Sequence, residues 1–112
     1  MRAWDETPRI TAALEQIEGL RVATAWPKEC PEEPVALVTL AGERAAARRD
    51  DREYLTELEY YVRVFTASSG DMRRLCAAVD EALEGLGYAR TLRWEEDGEG
   101  WRQTAARYKI YG

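Results

Sequence analysis

Apolar residues recur along this chain with two different periods, and the changes of period mark its elements. In "TPRITAALEQIEG", Ile10, Ala13, Leu14 and Ile17 fall on one face of a 3.6-residue repeat, which predicts a helix. Thr7 can cap it. Pro8 suits its first turn, where a missing N–H costs nothing, and Gly19 can end it. "LRVATAW" then reads as a short strand. "PKECPEEP" reads as a loop that neither a helix nor a central strand could hold, and "VALVTLAG", apolar on both faces, as a covered central strand. A polar connection, "GERAAARRDDRE", leads into "EYLTELEYYVRVFT" at 53–66, one long strand of period two. "SSGDMRRLCAAVDEALEGLG" returns to helical spacing, with Met72, Leu75, Cys76, Val79, Leu83 and Leu86 in one stripe. Ser69 or Asp71 can cap its start, and Gly85 or Gly87 its end. The last segment predicts a hairpin turning at Asp97-Gly98, a pair that tolerates the positive φ of a tight turn. The predicted order is α-β-β-β-α-β-β. It implies an α+β fold, a single domain over 1–112. One mixed or mainly antiparallel sheet of about five strands would carry two helices packed on one face.

Alternation assigns the long strand's side chains to faces. Tyr54, Thr56, Leu58, Tyr60, Val62, Val64 and Thr66 form the expected core face. Leu55, Glu57, Glu59, Tyr61, Arg63 and Phe65 form the other, too charged for a monomer core and too aromatic for idle surface. In the terminal hairpin, Leu92 and Trp94 are expected inward with Thr104, Ala106, Tyr108 and Ile110. Trp101, Gln103, Arg107, Lys109 and Tyr111 are expected outward. Two readings of the outward set stand side by side. In one, Glu57 or Glu59 pairs across strands with Arg107 or Lys109 on a solvated face. In the other, the face meets another polypeptide, since Tyr, Trp and Arg are the types that concentrate interface energy.

Composition narrows the chemistry. The chain has no histidine, so the commonest general base and metal ligand is missing, and no Ser-His or Cys-His nucleophile can form. Two cysteines, Cys30 and Cys76, are too few for a structural zinc site and read as free thiols in a reducing cytoplasm. "GLG" follows a helix and reads as a cap, not a dinucleotide fingerprint. "EEDGEG" lacks the ligand pattern of a calcium loop. The acid pairs Glu32-Glu33 and Asp50-Asp51 read as solvated. No cofactor, metal or catalytic residue is expected. The net charge of −5 argues against specific nucleic-acid binding. No apolar run reaches the length of a membrane span, and the N-terminus shows no signal-peptide core, so a soluble intracellular protein is expected. The "GERAAARRDDRE" connection holds Arg44, Arg48, Arg49 and Arg52 beside Glu43, Asp50, Asp51 and Glu53, a formal charge of zero, which suits a charged loop reaching a neighbouring subunit better than a phosphate-binding stripe.

The passage "YYVRVFTASSGDMRRLCAAVDEALEGLGYARTLRW", with the closing "QTAARYKIYG" and the opening helix with Ile10, Leu14 and Ile17, resembles the tail terminator, or tail completion, proteins of long-tailed bacteriophages and prophages. The match is one of hydrophobic spacing over most of the chain. It implies a non-enzymatic virion tail protein, assembled in the bacterial cytoplasm as a homo-oligomeric ring, often a hexamer. Such a ring sits on the head-proximal end of the tail tube, stops tube growth, and joins tail-tube protein to head-connector or neck protein. Under this resemblance, Arg44, Arg48, Arg49, Arg52, Glu57, Glu59, Tyr61, Arg63, Phe65, Trp101 and Arg107 are the expected interface residues. The alternative is a small cytoplasmic module using its open sheet face for a ligand or a single partner.

Overall fold

The computed structural model describes residues 6–25, 34–49, 52–66, 69–98 and 101–111; for 43–49, 52–56, 69–70, 96–98, 101 and 111 it describes the backbone alone. Helix α1 spans Thr7–Leu14, strand β1 Arg21–Ala23, β2 Val35–Arg49 and β3 Arg52–Thr66. Helix α2 spans Ser69–Gly85, β4 Ala89–Gly98 and β5 Trp101–Tyr111. The element order is the predicted one. The five strands form one mixed sheet in the order β1-β2-β3-β5-β4, parallel between β1 and β2 and antiparallel elsewhere.

Both helices feed one hydrophobic cluster. Ile10 and Leu14 of α1 and Leu75, Val79 and Leu83 of α2 meet Ala36, Val38, Leu58, Tyr60, Val62, Val64, Ala106 and Tyr108 of the sheet. These sheet residues sit opposite one another in register: Val38↔Val62, Val62↔Ala106, Tyr60↔Tyr108. Period-two alternation on three strands thus places these apolar groups on the same side.

Three local readings change. The helix α1 starts at the N-cap Glu6, which makes no side-chain cap; Thr7 lies inside the helix. The task passes to the strand: the Glu6 N–H donates to the buried Tyr60 hydroxyl at 2.9 Å, satisfying one of the donors that every helix start leaves open. Arg9 fastens the same turn, with Nη1 3.0 Å from Glu6 Oε1 and Nη2 donating to the Leu86 carbonyl at 2.9 Å. The helix also ends early, at Leu14; Ile17 still packs against the core from the turns that follow, and Gly19 takes φ +81°.

The second change is larger. The segment expected as a polar connection at 43–52 is strand: β2 runs on to Arg49, and β3 begins at Arg52. Arg44 pairs with Glu57, Arg48 with Glu53 and Arg49 with Arg52; positions 50–51 lie outside the described residues. Charge density read as loop because strand propensity was weighed through side chains, whereas the ladder is held by backbone groups. The third change is the terminal turn. Asp97 pairs with Arg102 and Gly98 with Trp101, so the strands continue through the expected turn pair, and positions 99–100 lie outside the described residues. The proline-punctuated segment, with Cys30 and Glu32-Glu33, also lies outside them apart from Pro34, whose carbonyl accepts from the Arg21 N–H at 3.0 Å.

The end of α2 shows why its glycine is there. Tyr88 N–H donates to the Leu83 carbonyl at 2.9 Å and Gly87 N–H to that of Glu84 at 3.0 Å, a Schellman closure that requires a left-handed residue. Gly87 supplies it at φ +97°, and a Cβ there would meet only Ile110 Cδ1 at 3.5 Å, an ordinary contact. Gly87→Ala should therefore cost about 1–2 kcal/mol from backbone strain alone. Urea denaturation of the two proteins side by side measures it; equal midpoints would refute the assignment.

Candidate assembly surface on the outer sheet face

The sheet side away from the core cluster is built from the odd-numbered positions of β3 and the residues registered with them. Glu59 stands opposite Lys109, Tyr61 opposite Arg107 and Thr39, and Arg63 opposite Ala105 and Leu37. This face divides in two. Towards one end Val35, Leu37, Phe65, Gln103 and Ala105 are buried within the chain. In the other part Glu59, Tyr61, Arg63, Trp94, Arg107 and Lys109 are half-buried, and Leu92 is 48% exposed.

The half-open part is organised by aromatic and ionic contacts. The Tyr61 and Trp94 rings meet edge to face, with centroids 5.8 Å apart. The Arg63 guanidinium lies 4.9 Å from the Tyr61 ring centroid and its Nη1 donates to Thr39 Oγ1 at 3.3 Å. Lys109 Nζ sits 2.6 Å from Glu57 Oε1 and 3.2 Å from Glu59 Oε1, and these two carboxylates hold its ammonium above the ordinary lysine range. Arg107 Nε approaches Glu59 Oε2 at 4.0 Å and donates to Thr91 Oγ1 at 3.0 Å.

Trp94 and Leu92 were expected on the core side and are not there. β4 slips register between Arg90 and Leu92, so Arg90 is opposite Tyr108 while Leu92 is opposite Arg107 and Trp94 opposite Ala105. One extra residue, Thr91, sends everything beyond it to the opposite face. The same bulge brings Arg90 and Arg93, three apart, to one side, where both reach Asp80 of α2. Each guanidinium lies 2.6 Å from Asp80 Oδ2, and the Tyr108 hydroxyl donates to Oδ1. Nothing in the linear pattern marks Asp80 as this hub; an acid in a helix facing two basic strand positions becomes visible only once the bulge is known.

Of the expected interface residues, the structure brings Glu59, Tyr61, Arg63 and Arg107 together on the half-open part. Phe65 and Glu57 share the face but are 3% and 2% exposed, so they support it from beneath. Arg44, Arg48, Arg49 and Arg52 lie in the β2–β3 ribbon and Trp101 begins β5, but their side chains are outside the described part. Trp94 and Leu92 are the members that alternation alone misplaced.

The helix side offers little chemistry. A cleft of about 500 Å³ opens between the start of α2 and the hairpin β4–β5, lined among others by Arg73, Cys76, Arg93, Glu95 and Arg102. Burial pushes the Cys76 thiol up, and its Sγ lies 3.6 Å from Met72 Sδ, so it behaves as a packed apolar group and not as a thiolate nucleophile. Among the described residues no group of acids and cysteines could hold a metal ion, and no helix is long and apolar enough to cross a membrane.

No family model matches the chain, and no curated protein matches it. Solved structures do. One chain from the virion of a native gene transfer agent particle aligns over 92% of this chain and 84% of its own length, at a TM-score of 0.54 and 17% identity. At that identity the likeness is one of fold.

The Asp80 hub sets a pH dependence. Burial, and then the hydrogen bond to Asp80, push the Tyr108 hydroxyl above its ordinary value of 10.0. Burial, and then the Glu6 carboxylate, do the same for Tyr88. A group with a raised folded-state pKa holds its proton longer when folded, so its contribution is complete below about pH 10 and lost as pH rises further. Stability should be level up to about pH 9, where the raised Cys76 thiol begins to cost stability, and decline more steeply above about pH 10, and Tyr108→Phe should flatten that steeper part. Urea midpoints from pH 8 to 11.5 test both; an identical alkaline slope in the variant would refute the role of Tyr108.

Proposed function

We propose that this chain is a structural protein of a tailed, phage-like particle, and within that class a tail terminator. It assembles as a ring on the head-proximal end of the tail tube, ends tube growth and gives the head connector its docking surface. Assembly takes place in the bacterial cytoplasm and the product resides in the virion tail. The observation that carries this reading is the fold shared with a virion chain over 92% of the sequence. That likeness joins the resemblance of the strand–helix–hairpin passage to the terminator family. The site chemistry agrees. The outer face carries aromatic rings, a stacked guanidinium and self-neutralised charge pairs, the surface of a protein that binds protein.

A ring needs a core side and at least two different contact surfaces, because a head-to-tail contact joins unlike patches and closes when its rotation closes. The half-open face with Tyr61, Arg63 and Trp94 supplies one. Size exclusion with light scattering should give a discrete oligomer, and negative-stain images should show annular particles. A monomer at every concentration would refute the ring. Tyr61→Ala combined with Arg63→Ala should lower self-affinity more than tenfold, since a hot-spot side chain contributes about 2 kcal/mol or more, while circular dichroism stays native. An unchanged oligomer mass in the folded double variant would remove this face from the interface.

A further inference from the structure

The outer-face contacts leave the cleft on the helix side unused. Its volume of about 500 Å³ lies within the range of built binding sites, roughly 300–1,000 Å³. Three elements each bring one arginine to it: Arg73 from α2, Arg93 from β4 and Arg102 from β5. Among the described residues of the lining, Glu95 is the acid that faces them. The whole chain carries a net charge of −5, so the sign is reversed locally here.

The Thr91 bulge makes this arrangement. It puts Arg93 and Glu95 on the helix side of β4, opposite Ala106 and Thr104. Arg102 precedes Thr104 by two on β5 and so shares its face. The first turns of α2 close the other wall. Met72 and Cys76, one turn apart, are 7% and 8% exposed, and Thr104 at 4% hydrogen-bonds the Cys76 thiol. The arginines therefore stand around an apolar floor. The start of α2 adds the positive end of its dipole. Asp71, in that same turn, lies 3.9 Å from Arg74.

Arg93 already shows how a guanidinium here takes a carboxylate, with Nη2 2.6 Å from Asp80 Oδ2. Among the described residues neither Arg73 nor Arg102 has an ion-pair partner. Their planar forks of N–H donors match a carboxylate. A phosphate backbone suits the cleft less well. It calls for a continuous basic stripe, whereas these arginines surround Met72 and Cys76 and have Glu95 among them.

We propose that this cleft binds a short acidic segment of a partner polypeptide. One carboxylate meets Arg73, a second meets Arg102, and an apolar side chain between them covers Met72 and Cys76. The cleft lies on the opposite side of the sheet from Tyr61 and Trp94, so the site stands whether or not that outer face closes a ring.

Fluorescence anisotropy with a labelled Glu-Leu-Glu peptide at low salt tests it. Binding should saturate, and Arg73→Glu and Arg102→Glu should each weaken it about tenfold, roughly the worth of one charge-assisted hydrogen bond. Arg74→Glu makes the same change of charge one residue away, outside the lining, and should leave binding unchanged. The Gln-Leu-Gln peptide should not bind. In amide NMR spectra of the unaltered chain, the Cys76 and Thr104 signals should move on adding the acidic peptide while that of Tyr61 stays. An equal loss in Arg74→Glu would reduce the effect to overall charge and overturn the site. Equal binding of the Gln-Leu-Gln peptide, or no saturable binding at all, would overturn it too. Tighter binding of an oligothymidylate would overturn the polypeptide and give the cleft to a phosphate chain. Should a variant fail to fold, the NMR shifts decide alone.

Discussion

Side chains on a strand must alternate between faces, and a central strand fixes that alternation for both its neighbours. β3 holds this position. Its even residues from Leu58 to Val64 carry the sheet's share of the core, and register then commits Ala36 and Val38 on β2 and Ala106 and Tyr108 on β5 to the same side. The helices follow. Tyr60 shows the coupling most directly, since it is packed edge to face on Tyr88 at 6.2 Å and receives the first N–H of α1. One residue thus joins the strand register, the end of α2 and the start of α1. A slip of one position on β3 would turn Tyr60 outward and undo all three.

The same rule explains what was legible in the sequence. Wherever apolar residues carry the pattern, the assignment follows directly: the α2 stripe of Leu75, Val79 and Leu83, and the core side of β3. It fails where an element is held by backbone pairing without an apolar pattern. Arg48 opposite Glu53 and Arg49 opposite Arg52 are ladder partners, yet "ARRDDRE" reads as loop in one dimension. It fails again at Thr91. A bulge leaves alternation intact on either side and inverts its phase between them, so Trp94 changes face without any local sign in composition. The cap of α1 was illegible for a third reason. Its partner, the Tyr60 hydroxyl, is 54 positions away, and no rule restricted to neighbouring residues could find it.

The candidate surface was half legible. Glu59, Tyr61, Arg63 and Arg107 follow from alternation on two unbulged stretches, whereas Trp94 and Leu92 required the bulge. Phe65 and Glu57 were assigned to the right face with the wrong exposure, because alternation gives the side a residue occupies and not how much of that side the rest of the chain covers. Of the two readings of the outward charges, the cross-strand pairing is the one the structure shows. Glu57 and Glu59 do pair with Lys109, and Glu59 with Arg107, across the ladder.

That internal pairing shapes how another polypeptide could use the face. A carboxylate already compensated at 2.6 Å offers little further attraction to an incoming charge, and breaking the pair would leave Glu57, 2% exposed, as an uncompensated buried acid. A partner covering this face therefore meets charge that is already neutralised. The half-buried Tyr61 ring and the exposed Leu92 are apolar members of this face, and covering them would contribute a hydrophobic contact that depends little on ionic strength. The ionic network orients the face, and on the proposed reading the aromatic groups set inside it would provide the adhesion. A strand that mixes glutamates, an arginine and tyrosines thus carries charges that satisfy one another within the chain and, on the proposed reading, rings set among them for contact beyond it.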